Sequence, residues 1–172
     1  MTPVPTASTA ATHAATLDPE RFRAAMAQFP TFVTVVTTTG PDGPVGCTVN
    51  AVLSLSTRPP SLLVSLASGS RTLTEIRAAG VFAVNALAWR QRDLCEWFAA
   101  AAPEERFRRV AYRQELGVPV LSGSAAALVC VVESAVDLFD HQVLVGRIAW
   151  ADAGAAPRPL VLHRRRLHTL AR

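Results

Sequence analysis

Apolar residues change their spacing several times along the chain, and each change marks an element. Phe22, Ala25, Met26 and Phe29 recur at helical intervals behind Asp18-Pro19. Asp is a strong N-cap and Pro fits the first helical position, so a helix is predicted there, closed by Pro30. Residues 31–39 are almost all β-branched and predict a strand. Gly40-Pro41-Asp42-Gly43-Pro44 is a turn, and residues 45–57 predict a second long strand, making a hairpin. Arg58-Pro59-Pro60 ends it, and the apolar run at 62–67 predicts a short buried strand. Residues 71–79 predict a short helix stopped by Gly80, and 81–87 a strand. Residues 90–101 predict a helix with Leu94, Trp97 and Phe98 on one side.

Beyond it, 103–123 reads as irregular, with Gly117, Pro119 and Gly123 as breakers. Two long strands, 125–138 and 143–151, pair around a turn near Asp140, and 160–163 and 167–170 are short final strands. Many strands, few short helices and no regular βα alternation predict a mainly β protein built as a barrel, not a doubly wound sheet. Residues 1–17, rich in Ala, Thr and Pro, predict a disordered leader, and 18–172 a single domain. The leader has neither the basic nor the apolar segment of a secretory signal.

Composition narrows the partners. Half of the 172 residues are apolar and 17% are charged, a globular balance. No apolar run reaches the roughly 18 residues that span a bilayer, so no membrane partner is expected. Cys47, Cys95 and Cys130 are odd in number and far apart, which fits a reducing cytoplasm better than a disulfide framework. The net charge of +4 includes Arg164-Arg165-Arg166, but the other basic residues are interleaved with acids. Aromatics are few and not interleaved with the basic residues, so nucleic acid is not expected as a partner. The sequence carries no GxGxxG, P-loop, HExxH or GxSxG motif, and no metal is expected.

Three polar features remain. In 45–57, alternation places Cys47, Val49, Ala51, Leu53 and Leu55 on one face and Thr48, Asn50, Ser54 and Ser56 on the other, with Val52 among them. Short uncharged side chains suit a wall along which a flat polar ligand lies, and suit an ordinary exposed face equally well. Ser68-Gly69-Ser70-Arg71-Thr72 precedes a helix, and Thr72 and Glu75 have capping-box spacing. Helix-start N–H groups with Ser70, Arg71 and Thr72 would attract a phosphate, whereas helix capping alone also accounts for them. The third feature is Asp140-His141 at a strand entry, where a histidine is more often structural than catalytic.

Read together, Gly46-Cys-Thr-Val-Asn-Ala-Val-Leu-Ser-Leu-Ser56, Pro59-Pro-Ser-Leu-Leu-Val-Ser65, Ser70-Arg-Thr72, Phe82-Ala-Val-Asn85, 91–98, Asp140-His141, Gly146-Arg147 and Pro159-Leu160 resemble the flavin reductase-like family. Its members are the small reductase components of two-component monooxygenases, and the resemblance spans about residues 20–170. It implies an FMN-binding split β-barrel, a homodimer, and hydride transfer from NADH or NADPH to FMN or FAD, with reduced flavin passed to a separate monooxygenase. It implies cofactor contacts at Thr48, Val49, Asn50, Ala51, Ser54, Ser65, Ser68, Ser70, Arg71, Thr72 and Asn85, with His141 beside the nicotinamide. Other readings within reach are a flavin-bound oxidoreductase of the same fold acting on another small molecule, and a non-catalytic flavin- or haem-binding protein. The chain departs from the family at Phe139, where relatives commonly have Gly, and at Arg164-Arg165-Arg166, where they often carry an aromatic residue and Gly.

Overall fold

The computed structural model describes residues 17–153 and 158–170, so most of the predicted leader lies outside the described residues. Among the described residues, twelve strands and three short α-helices make the chain mainly β. The first helix, α1 (Pro19–Met26), starts as expected: the Asp18 carboxylate accepts from the Glu20 N–H at 3.2 Å and Pro19 opens the first turn. None of its residues is buried. The helix is tied to the body through its end, where the Arg164 N–H donates to the Ala27 carbonyl at 2.8 Å.

The β-branched run at 31–39 is not one strand. It divides at Val33 into β1 (Thr31–Phe32) and β2 (Thr34–Gly40). Val33 itself bonds to Leu160 and Leu87. Its 0% exposed side chain anchors a core cluster with Leu87, Phe98, Leu121 and Leu160.

The predicted strand at 45–57 is also two strands, β3 (Gly43–Val49) and β4 (Val52–Thr57). Next come β5 (Pro60–Ala67), α2 (Arg71–Ala79), β6 (Val81–Ala86), α3 (Arg92–Ala100), β7 (Tyr112–Glu115), β8 (Val118–Leu121), β9 (Ala126–Leu138) and β10 (His141–Asp152). The last strands are β11 (Leu160–His163) and β12 (Arg166–Thr169), which form a three-stranded sheet with β1. The segment read as irregular thus contains the β7–β8 hairpin, turned at Leu116 and Gly117, both at positive φ.

The main sheet is antiparallel, in the order β3-β2-β6-β9-β10-β5-β4. Its two edge strands are consecutive in the chain and joined only by Asn50-Ala51. Two residues cannot cross an open seven-stranded sheet, because neighbouring strands lie about 4.8 Å apart. The sheet therefore curls until its edges meet. They meet without a β3–β4 ladder; the Ser65 N–H donates to the Ala51 carbonyl at 2.9 Å, which carries the β5–β4 ladder on to the link beside the seam. The result is a barrel with a split in its wall.

Phe82, Ile76, Leu144, Val36 and Val64 fill the barrel together with Cys130. A fully buried Phe contributes about 2 kcal/mol over an exposed one. Gly146 is required by this packing: a Cβ there would stand 2.7 Å from the Phe82 ring. Helix α2 closes one end through Thr72, Leu73 and Ile76, and Gly80 ends it at φ 69°, the left-handed cap that glycine takes without strain. The family departures both fall on left-handed backbone. Phe139 (φ 57°) is fully exposed at the β9–β10 tip, and Arg164 (φ 50°) and Arg165 (φ 59°) form the β11–β12 turn.

Candidate functional site

The split in the wall opens a cleft of about 410 Å³. Its sides are the end of β3 with the Asn50-Ala51 link, the end of β5 at Ser65–Ala67, Ser70 at the start of α2, and His141 at the start of β10. That volume lies within the roughly 300–1,000 Å³ of small-ligand sites. Of the expected residues, Thr48, Val49, Asn50, Ala51, Ser65, Ser70 and His141 come together here. They converge because barrel closure brings both ends of the sheet to one place.

Alternation through 45–57 does not survive the chain break. Consecutive residues 47–51 all line the cleft, so Cys47, expected on the opposite face, is part of it. The break also frees backbone. Asn50 and Ala51 are exposed, and among the described residues neither N–H donates to another backbone group. Thr48 is less available, because its hydroxyl donates to the Cys95 carbonyl at 2.6 Å.

Ser70, not Thr72, is the N-cap of α2. Its carbonyl accepts from the Thr74 N–H at 3.1 Å, and its hydroxyl makes no capping bond. That leaves the hydroxyl free of the helix cap, on a residue that lines the cleft. The expected Thr72–Glu75 capping box is absent, and Thr72 is 2% exposed, turned into the core beneath the site. The Cys47 thiol lies beside both hydroxyls. Burial pushes its pKa up, against hydrogen bonding from Thr72 and Ser70 and the charge of Arg106. Arg106 reaches that position by donating from Nη1 to the Gly46 carbonyl at 2.7 Å.

Besides Thr72, four expected contacts stand outside the cleft lining. Asn85 is 0% exposed, deep in the core. Its amide Nδ2 donates to the Val35 carbonyl at 3.0 Å and the Thr37 hydroxyl at 3.1 Å, and its Oδ1 accepts from the Leu121 N–H at 2.8 Å. Its role is to stitch β2, β6 and β8 together. Ser54 lines a different, strongly apolar cavity of about 280 Å³ with Phe32, Leu53 and Leu62. Arg71 turns from the cleft to Asp42, 3.3 Å away, in an exposed pair that stabilises by no more than about 1 kcal/mol. Ser68 is exposed outside the cleft lining, and its N–H donates to the Asp140 carbonyl at 3.0 Å.

That last bond fixes His141 on the rim. His141 pairs across the sheet with Ala67, and its Nδ1 lies 2.8 Å from Asp140 Oδ1. The hydrogen bond to His141 holds the Asp140 carboxyl below its usual pKa. A lowered carboxyl pKa means that the contribution of the pair is fully present above the ordinary carboxylate pKa and is lost only as pH falls through the lowered one. The sequence reading missed Cys47, Arg106 and Asp42. Only the Gly46-Cys47 junction with the polar strand carried any local signal for them.

The sequence profile of the flavin reductase like domain matches residues 26–171. The chain is 37% identical over 153 residues to the reductase subunit of a flavin-dependent monooxygenase from Mycobacterium tuberculosis, covering 87% of this chain and 81% of the relative. It is 40% identical over 154 residues to a flavin reductase (NADH) from Kitasatospora aureofaciens, covering 87% and 80%. The structure of the styrene monooxygenase flavin reductase from Pseudomonas putida superposes with a TM-score of 0.81 at 32% identity, covering 88% of this chain and 97% of that one. The split barrel, the seam cleft and these matches across nearly the whole described chain agree: the protein belongs to the flavin reductase-like family.

Proposed function

We propose that the chain is an NAD(P)H-dependent flavin reductase that reduces FMN or FAD in the seam cleft and passes the reduced flavin to a separate monooxygenase. The observation that carries this reading is the donor set of the cleft in a chain of this family. Free N–H groups at Asn50 and Ala51, the Asn50 amide and the Ser65 hydroxyl match the alternating acceptors and donors of a flavin ring edge. Ser70 and the first turn of α2 suit the phosphate. Arg71 joins them if it leaves its weak pair with Asp42.

Flavin supplies the redox chemistry when bound, accepting a hydride from the nicotinamide. The chain's own residues bind and orient. The Asn50-Ala51 wall fixes the ring, Ser70 anchors the tail, and His141 on the rim meets the incoming nicotinamide. No general acid is required of them, because proximity and alignment supply most of the rate gain. The cleft is wide open, with the His141 side chain 46% exposed, which fits a flavin that exchanges as a substrate. Three free cysteines fit a cytoplasmic location. In steady state, purified protein with NADH and added flavin should consume NADH continuously. No turnover with either nicotinamide on either flavin would overturn the reading.

Flavin should also shield Cys47 from alkylation. Cys130 is buried and its thiol is pushed up to about 12, so it stays inert. Mass spectrometry after a timed iodoacetamide pulse should find Cys47 labelled slowly without FMN and several-fold more slowly with it. Equal labelling would place flavin elsewhere.

A homodimer completes the proposal. Leu53 and Leu55 on the edge strand β4 are 53% and 49% exposed, and Leu53 and Phe32 border the 280 Å³ apolar cavity. Exposed leucines beside an apolar cavity suit burial against a second copy of the chain. Sedimentation should give the mass of two chains, and Leu53→Asp should give one. An unchanged dimer in that variant would move the interface to another face.

A further inference from the structure

A second cavity of about 350 Å³ adjoins the cleft and shares Asn50 with it. Ser70 does not line it, so it lies beyond the Asn50 side of the site. Phe22, Met26 and Phe29 of the α1 region are exposed there, and Leu162 lines it with them, an apolar bed suited to a purine. Above this bed stand Arg164 and Arg165. Arg23, in the same cavity, is paired with Glu20, whereas among the described residues neither Arg164 nor Arg165 forms an ion pair. Arg164 is instead positioned by its Nε, which donates to Gln28 at 2.9 Å.

The backbone adds an independent argument. Arg164 and Arg165 occupy both left-handed positions of a two-residue hairpin turn, at φ 50° and 59°. Asn-Gly adopts that turn without strain and arginine does not. Strained backbone persists where the side chains have a use.

We infer that this cavity takes the adenosine end of NADPH, with Arg164 and Arg165 holding its 2′-phosphate. The inference rests on the reductase reading and deepens it, because it assigns the hydride donor. Adenine lies on the apolar bed, and the dinucleotide passes Asn50 to bring its nicotinamide to the cleft. Two arginines facing a dianionic phosphate are the donor set that distinguishes NADPH from NADH, which has only a ribose hydroxyl there.

The test uses the full chain and the variant Arg164→Asn/Arg165→Gly, which installs the favoured turn and so keeps the fold. Adenosine 2′,5′-bisphosphate and 5′-AMP are compared as inhibitors competitive with NADPH, and by calorimetry without turnover. The wild type should bind the bisphosphate at least tenfold more tightly than 5′-AMP. The variant should lose that difference, and its ratio of kcat/KM for NADPH over NADH should fall at least tenfold. Equal affinity for the two probes in the wild type, or an unchanged preference in the variant, would overturn the assignment. Either result leaves the reductase reading standing if NADH still reduces flavin; absence of turnover with both nicotinamides would remove that reading instead.

Discussion

Asn85→Ala should lower the unfolding free energy by about 3–5 kcal/mol, the largest stability loss expected of any single residue near the site. The side chain is completely buried and makes three hydrogen bonds, to Val35, Thr37 and the Leu121 N–H. The bonds to Val35 and Thr37 contribute about 1 kcal/mol net each, and leaving the Leu121 N–H buried without an acceptor costs a further ~1–3 kcal/mol. Urea denaturation should show a lower midpoint with an unchanged slope, and the melting temperature should fall on the order of 10 °C. A variant that kept its stability but bound flavin poorly would return Asn85 to the cofactor site and contradict its place in the core.

Ser70→Asp should separate phosphate binding from folding. Aspartate caps a helix as well as serine does, and it lies at the positive end of the α2 dipole, so stability should hold or rise slightly. The same carboxylate faces the proposed phosphate position. Like charges about 4 Å apart near a protein surface repel by up to ~4 kcal/mol, and partial screening by solvent leaves about 2–3 kcal/mol. FMN affinity should therefore fall on the order of 100-fold, with riboflavin, which lacks the phosphate, affected far less. Fluorescence titration of the two ligands checks this. Equal losses for FMN and riboflavin would place the phosphate away from α2.

The local chemistry of the chain was readable where the answer lay within a few residues. Asp18-Pro19 and Gly80 delimit their helices as expected, and the Asp140 turn joins the two longest strands. The polar segments that line the cleft were also legible. Long-range consequences were not. Nothing within residues 47–57 marks the break at Asn50-Ala51, because no Gly or Pro interrupts the alternation there; closure of the barrel imposes it. Asn85 looked like a ligand contact because its partners lie at least 36 residues away in sequence. The pair that turns Arg71 from the cleft was not legible either, because its partner Asp42 is 29 residues distant. Pro119 suggested irregular chain, yet β8 is an edge strand of a two-stranded sheet, where proline is tolerated. Phe139 and the Arg164-Arg165 pair, visible in the sequence only as departures from the family, prove to be left-handed residues.

The reaction proposed for this chain moves a hydride from a nicotinamide to a flavin held in the seam cleft. Anaerobic rapid mixing of the protein and FMN with reduced nicotinamide tests it most directly. The oxidised-flavin absorbance should bleach at one flavin per nicotinamide, far faster than in the protein-free mixture. Ser70→Asp should slow the bleaching of FMN at limiting concentration more than that of riboflavin. Bleaching at the protein-free rate would rule out hydride transfer in the cleft.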